Sequence, residues 1–415
     1  MVKKKKIAVI GSGISGLYLA WKISKKFNVT VYEKNNYFGG HSNTVEVNLK
    51  KKKISVDTGF IVFNKKNYPN LTDFFKFYNI SIEKSNMSFS VDFQKENFYY
   101  SGTLTGIFSQ KKNILKKKFW IMLYEIIKFY KSAHLEKKKY KNLTLEDYLN
   151  KKKYSEYFKN KHIYPMASAI WSTKKRGINK MPFQTFINFF ENHGLLNLFN
   201  RPTWYTVKGG SKNYVKKILE NPLIKVKKNT KVIKLKKIKN KMLVFTNKSY
   251  EVYDHVVCAC HANETGDLLS KMDIKLSRLL KKFRYSSNKV FLHSDKRLMP
   301  LKKSIWASWN YLSIKRREKN IQCFSYWMNK LQNIDKKYLL FLTLNPPFTP
   351  RNIFYKTTYT HPIFTNKTME IPKELNKIQG KNKIWFCGSY FGYGFHEDGI
   401  NSSIKVAKLL NNENT

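Results

Sequence analysis

One short unit near the start of the chain dictates what must be built around it. An apolar run, Ile7-Ala8-Val9-Ile10, meets the turn Gly11-Ser12-Gly13-Ile14-Ser15-Gly16 and then the helix-forming run Leu17-Tyr18-Leu19-Ala20-Trp21. A second apolar run, Val29-Thr30-Val31-Tyr32, ends on Glu33. Strand, glycine turn, helix, strand and acid in this order predict a dinucleotide-binding βαβ unit. Gly11 permits the tight turn, Gly13 lets the backbone approach a pyrophosphate, and Gly16 lets the helix pack on the strand. The first-turn N–H groups and the positive helix end then hold the phosphates. Glu33, 22 residues after Gly11, stands where a carboxylate accepts from both ribose hydroxyls, which disfavours a 2′-phosphate and hence NADP.

With 415 residues the chain is long enough for two domains. No apolar run reaches the roughly 18 residues needed to cross a bilayer. Only Ile7–Ile10 are apolar before Gly11, too few for the core of a signal peptide, so the expected location is the cytoplasm. Cys258, Cys260, Cys323 and Cys387 are then expected as reduced thiols rather than a disulfide framework. The net charge is +52, from 79 basic and 27 acidic residues. Such a field attracts nucleic acid, anionic lipid or acidic substrates. An A/T-rich codon bias accounts for abundant Lys, Asn, Ile, Phe and Tyr, but not for scarce acids, because Glu codons are also A-rich. The lysine runs sit in no recognisable nucleic-acid-binding module, so nucleic acid is not expected as a partner, and an anionic membrane surface ranks ahead of it. The segment Phe119–Tyr130, between Lys116–Lys118 and Lys137–Lys139, suits either peripheral contact at the inner face of a membrane or a buried helix.

Beyond Glu33 the pattern departs from a plain NAD dehydrogenase, which would continue with further βα units. A second glycine pair, Gly39-Gly40, leads into His41-Ser42-Asn43-Thr44, and Ile54–Phe63 is strand-like on either side of Gly59. From Asn67 to Trp204 the chain is rich in aromatic and helical segments. Thr230–Leu235, Met242–Phe245 and His255–Cys260 predict a sheet excursion that rejoins the nucleotide-binding core. A further aromatic-rich stretch covers Leu268–Gln379. Ile384–Gly388 predicts a buried strand, and Ile400–Leu410 a helix. The expected class is α/β: a Rossmann-like cofactor domain, discontinuous in sequence (1–75, 205–267 and 380–415), with a mixed α+β substrate domain (76–204 and 268–379).

These motifs resemble the FAD site of flavin-dependent amine oxidases, phytoene desaturases and protoporphyrinogen oxidases. The resemblance is closer to a bacterial branch usually labelled predicted NAD/FAD-binding protein. It is carried by Val56–Asn64, Tyr68–Leu71, Met87–Ser90, Gly209-Gly210-Ser211, Leu292–Asp295, Leu298–Pro300, Trp306–Tyr311 and Gly392–Gly399. The resemblance implies FAD, and because the cysteine attachment motif of some amine oxidases is not evident, non-covalent FAD is expected. Gly11, Gly13, Ser15 and Gly16 would lie on the pyrophosphate and Glu33 on the adenosine ribose. Gly39, Gly40 and His41 would lie beside the phosphates and ribityl chain, and the Val232 backbone at adenine. Gly388 and Asp398, Gly399 and Ile400 would lie near the ribityl chain and pyrimidine ring. Members of this branch are similar to companions of cyclopropane-fatty-acid synthases. That implies an apolar lipid or fatty-acyl substrate, oxidised by hydride transfer to flavin N5, and a functional link to such a methyltransferase. A flavin amine oxidase releasing hydrogen peroxide, a non-redox isomerase or mutase, and a membrane-bound accessory protein holding FAD only for structure are the alternatives.

Candidates for chemistry are few. His396 and Glu397, just before the last helix, are possible acid–base groups, with Asp398 as its N-cap the plainer reading. Lys289 stands where amine oxidases often place a lysine water-linked to N5. Cys258, Cys260 and His261 lack a second ligand pair, so a packed strand is expected and no metal site.

Overall fold

The strand Lys6–Ile10 lies at the centre of a five-stranded parallel sheet, with Asn28–Tyr32 and Ile224–Lys227 on one side and His255–Cys258 and Ile384–Phe386 on the other. The computed structural model describes residues 4–171, 175–197, 201–316 and 319–413. Ile7, Ala8 and Val9 are fully buried, as a parallel strand covered on both faces requires. The helix Ile14–Ile23 covers one face and packs against the last helix, His396–Asn412, where Ser403 Oγ donates to the Ser15 carbonyl at 2.8 Å. Pieces from the two ends of the chain thus form one layer. The antiparallel strands Val232–Ile238, Lys241–Thr246 and Tyr250–Tyr253 form the excursion just before His255–Cys258.

A seven-stranded sheet forms the other half. Its order is Ile353–Pro362, Tyr285–His293, Phe341–Leu344, Lys319–Trp327, Trp309–Arg316, Phe89–Phe93 and Phe98–Ser101. All pairs are antiparallel except Trp309–Arg316 with Phe89–Phe93. Residues opposite one another share a face. One such row runs Val91, Tyr311, Phe324, Leu344, Val290. This face joins one core with the helices Lys117–Glu136, Tyr164–Trp171 and Phe183–Asn192, through Phe119, Phe129, Tyr164, Phe186 and Phe190.

Expected elements shift at several edges. Ile54–Phe63 divides: Lys52–Asp57 pairs with Thr44–Leu49, and Phe63–Asn64 joins a separate small sheet with Trp204–Val207 and Ile82–Ser85. Gly59 marks the break, since a Cβ there would lie 2.3 Å from the His41 carbonyl oxygen. The stretch Asn67–Trp204, expected to be rich in helical segments, also supplies the strands Ile82–Ser85, Phe89–Phe93 and Phe98–Ser101. The last helix begins at His396 rather than Ile400. Among the described residues no helix is long and apolar enough to cross a membrane.

Candidate functional site

The glycine turn divides its labour between fold and ligand. Gly11 has φ +107°, and a Cβ there would lie 2.9 Å from the Ala259 carbonyl oxygen. At Gly16 a Cβ would lie 2.0 Å from the Gly11 carbonyl oxygen. Both positions therefore require glycine for the protein's own packing. Gly13 differs: φ is −66°, and a Cβ there would meet nothing within 4 Å among the described residues. No side chain caps the helix that starts after it, so its first N–H groups face open space, as a pyrophosphate site requires. The second pair closes over the first: Gly39 N donates to the Ser12 carbonyl at 3.0 Å, and a Cβ on Gly40 would lie 3.3 Å from Gly13 Cα.

Glu33 is buried at one end of this cradle. Its Oε2 accepts from Ser12 Oγ at 2.5 Å and Ser12 N at 3.2 Å, and its Oε1 from Asn35 N at 2.8 Å. An ionised carboxylate offers about four acceptor positions, so capacity remains for a ribose hydroxyl. Thr230 N donates to the Glu33 carbonyl at 2.8 Å, bringing the start of the Val232 strand to the same corner.

At the other end lies a group of neutral aromatic and imidazole rings. His41 packs 4.9 Å from Tyr359 and 5.3 Å from His361. Burial first, then the neighbouring imidazoles, holds its pKa well below the usual histidine value. Its Nε2 is buried with no hydrogen-bond partner among the described residues. Beside an open phosphate cradle, such an orphaned nitrogen fits a polar atom of a bound dinucleotide. Asn43 Nδ2 donates to Thr58 Oγ1 at 3.0 Å, Tyr359 OH at 3.0 Å and Tyr355 OH at 3.2 Å, tying this corner to the seven-stranded sheet.

The segment 396–400 is fully engaged. His396 stacks on Phe60 at 3.7 Å, with Nε2 3.0 Å from Ser42 Oγ and 3.1 Å from Tyr214 OH. Burial pushes its pKa down to about 3, so it is neutral and clamped. Glu397, proposed from sequence as an acid or base, accepts from Asn70 N (2.9 Å), Asn70 Nδ2 (2.7 Å) and Leu71 N (3.1 Å), capping the helix Pro69–Phe77. Asp398 accepts from Tyr393 N at 2.9 Å and Phe395 N at 3.0 Å, and burial raises its pKa to about 6. Gly399 is where the two helices meet, since a Cβ there would lie 2.4 Å from Ser15 Oγ. Ile400 is in the core with Ile14 and Leu17, and Gly388 N donates to Ser402 Oγ at 2.9 Å.

Lys289 departs from the sequence expectation. It is exposed and shares its sheet face with Thr358, whereas Asn288 and Tyr359 face the His41 corner. Strand alternation alone puts the ammonium on the wrong side. Among the described residues no group of three His, Cys, Asp or Glu could hold a metal. Cys258 is fully buried, and burial raises its thiol pKa well above the ordinary value.

Asp57, to which the sequence assigns no role of its own, binds the halves together. Asp57 Oδ1 accepts from Thr44 Oγ1, Ser211 N and Ser211 Oγ, and its Oδ2 from Gln332 Nε2 at 3.0 Å. The motifs Asp57-Thr58 and Gly209-Gly210-Ser211 were visible, but their pairing across 154 residues was not.

Residues 9–78 match the NAD(P)-binding Rossmann-like domain. No curated protein matches the chain in sequence. Solved structures match along almost its whole length. A CLA-producing fatty acid isomerase from P. acnes aligns at TM-score 0.69 and 12% identity, covering 99% of both chains. Cyclohexylamine oxidase from Brevibacterium oxydans aligns at TM-score 0.66 and 11% identity, again over 99% of both. Wild-type putrescine oxidase bound to putrescine aligns at 0.65 and 10%, with the same coverage. This is the amine-oxidase-type FAD-binding fold. At these identities the likeness concerns the fold alone. In this chain the loop that follows the second Rossmann-like strand meets the seven-stranded sheet where His41 packs on Tyr359.

Proposed function

We propose that the protein is an FAD-dependent oxidoreductase that oxidises an apolar, fatty-acyl-like substrate. The observation carrying this reading is that the open glycine cradle leads to a corner whose titratable groups are neutral or already engaged. His41 and His396 are held neutral by burial, and Glu397 and Asp398 are bonded to backbone N–H groups. Such a corner favours removal of a hydride from an apolar carbon over proton shuttling, because among the described residues its imidazoles are buried and weakly basic and its carboxylates are already bonded to backbone N–H groups.

In this reading the first-turn N–H groups after Gly13 hold the pyrophosphate, Glu33 accepts from the adenosine ribose, and the Val232 backbone lies at adenine. His41 Nε2 finds its partner on the cofactor. Bound FAD would supply the hydride acceptor at N5. The chain's own part is to orient and to exclude water. Phe395 stacks on Phe189 at 4.5 Å, and Trp309 packs 4.6 Å from Tyr326. The fatty acid isomerase among the structural neighbours supports an acyl substrate and makes isomerisation without net electron transfer the second reading. A functional link to a cyclopropane-fatty-acid synthase-like methyltransferase belongs to the same proposal and rests on the sequence resemblance.

The test is anaerobic mixing of the purified flavoprotein with fatty acids, acyl lipids and amines while flavin absorbance is followed. Bleaching by an acyl compound supports the proposal. Bleaching by amines, with peroxide released in air, would replace it by amine oxidation. Product formed only after pre-reduction, with no net electron change, would select isomerisation.

A further inference from the structure

The helix Lys117–Glu136 buries Phe119, Met122, Glu125, Phe129 and Tyr130 and turns the opposite stripe outward. That stripe is not the polar surface a soluble helix normally presents. Trp120 is 48% exposed, Tyr124 65%, Ile127 43% and, on the preceding loop, Leu115 88%. Phe108 packs 6.1 Å from Trp120, and Trp120 Nε1 donates to the Ile114 carbonyl at 2.7 Å, so the loop and helix form one patch.

Along the loop and helix that form the patch the exposed charge has one sign; the acids across the cavity from Lys118 and Ile121, Glu96 and Glu156, pair with Lys161 and Lys159. Lys111 and Lys112, Lys116–Lys118, then Lys128 and Lys131 are all exposed, and none pairs with a carboxylate among the described residues. Nearby Lys137, Lys152 and Lys161, by contrast, all have Glu partners. From Asn97 to Tyr124 the chain has no acid, and Glu125, the only one before Glu136, is buried.

We propose that this face docks on the surface of an anionic lipid bilayer, its apolar side chains entering the headgroup boundary and its lysines meeting lipid phosphates. Aromatic and aliphatic side chains within a cationic rim match that interface. A second copy of the chain fits poorly, because it would bring the unpaired lysines face to face. The same helix places Lys118 and Ile121 in the wall of a cavity of about 720 Å³ that also includes Phe93, Tyr157, Tyr311 and Gln322. Docking would therefore set this cavity beside the lipid. The proposal stands apart from the redox reading, since it depends on neither flavin nor turnover.

The test is flotation of the full protein with vesicles of phosphatidylcholine, alone or with added phosphatidylglycerol, before and after a wash at about 1 M salt, where the Debye length is about 3 Å. Native protein should float with the anionic vesicles and partly withstand the wash. Leu115→Ser with Tyr124→Ser should weaken floating about tenfold or more. Ile233→Ser with Ile274→Ser, exposed apolar residues elsewhere (54% and 62%), should leave it unchanged. Brominated acyl chains should quench fluorescence in native protein but much less in Trp120→Phe, which locates the contact without disturbing the fold. Equal floating of both double variants, or binding removed wholly by salt, would overturn the proposal in favour of charge alone. A dimer lost in the Leu115/Tyr124 variant, without vesicle binding, would overturn it in favour of a second copy.

Discussion

Gly13→Ala separates a cofactor cradle from a glycine turn that serves only packing. Gly13 has φ −66° and ψ 177°, which any residue adopts, and its Cβ would find no protein atom within 4 Å. Alanine is a poorer N-cap than glycine but restricts the unfolded chain, effects of about 0.5–1 kcal/mol that oppose each other. The apoprotein melting temperature should therefore stay within about 3 °C of native. A bound pyrophosphate, however, must occupy the space the new methyl fills. Displacing two charge-assisted N–H···O–P bonds, at about 1.5–3 kcal/mol each, costs about 3 kcal/mol or more, roughly a hundredfold in Kd. Titrating stripped protein with FAD, followed by flavin fluorescence, measures this directly. Gly16→Ala is the contrasting control: its Cβ would sit 2.0 Å from a backbone oxygen, so it should lower stability and flavin content together. If Gly13→Ala takes up FAD as tightly as native, the pyrophosphate lies elsewhere and the cradle argument fails.

Three further outcomes follow from the contacts. Glu397→Ala removes the acceptor for Asn70 N, Asn70 Nδ2 and Leu71 N. It should cost about 2 kcal/mol in a denaturant melt while leaving the flavin spectrum of folded protein unchanged; loss of turnover with full stability would instead give Glu397 a chemical role. Asp57 has its pKa raised by burial from 3.8 to about 6, so the folded state binds its proton more tightly than the unfolded chain. Its contribution to stability is thus fully present below about pH 4 and lost as pH rises through 6, up to roughly 3 kcal/mol. The stability of native relative to Asp57→Asn should rise as pH falls from 7 to 4, and a difference that falls contradicts the sign. Lys289→Met, on the outward sheet face, should leave flavin reoxidation by oxygen unchanged in stopped flow, whereas a tenfold slowing would return the lysine to the flavin.

The Rossmann-like half was legible because its determinants are local. Ile7–Ile10, the glycine turn and Glu33 lie in one continuous stretch, and each glycine's task follows from backbone geometry. The excursion ahead of His255–Cys258 was visible through its apolar alternation. Ile224–Lys227 was not, because Lys225 and Lys227 mask an edge strand whose pairing with Asn28–Tyr32 arises only in the folded sheet. The other half is governed by distant pairing. Phe89–Phe93 becomes a strand beside Trp309–Arg316, more than 200 residues away, and no local pattern specifies that partner. The side chains of His396, Glu397 and Asp398 were conspicuous as ionisable groups. Their partners, Ser42, Asn70 and the Tyr393–Phe395 backbone, are what make them clamps and caps rather than free acids.

The seven-stranded sheet joins the His41 corner to the cavity, the two regions along which the proposed acyl substrate would run. Asn288 and Tyr359, opposite one another, face the His41 corner, and Ser313 and Gln322, also opposite, line the cavity on the same face several strands away. Between them that face carries Phe324, Leu342, Leu344, Val290 and Leu292, all buried and apolar. These side chains pack against the helices, so a long acyl chain reaching the flavin corner from the cavity would have to part them along this face, whereas a short one would not extend so far. Gln322→Trp, on the cavity wall, should therefore lower kcat/KM for a long-chain substrate while sparing a short-chain one. An aromatic side chain displacing about four methylenes of buried chain, at about 0.8 kcal/mol each, gives roughly 3 kcal/mol, or about a hundredfold. Parallel measurements across chain lengths, with thermal melts to verify folding, test the idea. A uniform loss at every length would mean that the cavity takes no part in holding the chain, and that the substrate reaches the flavin by another path.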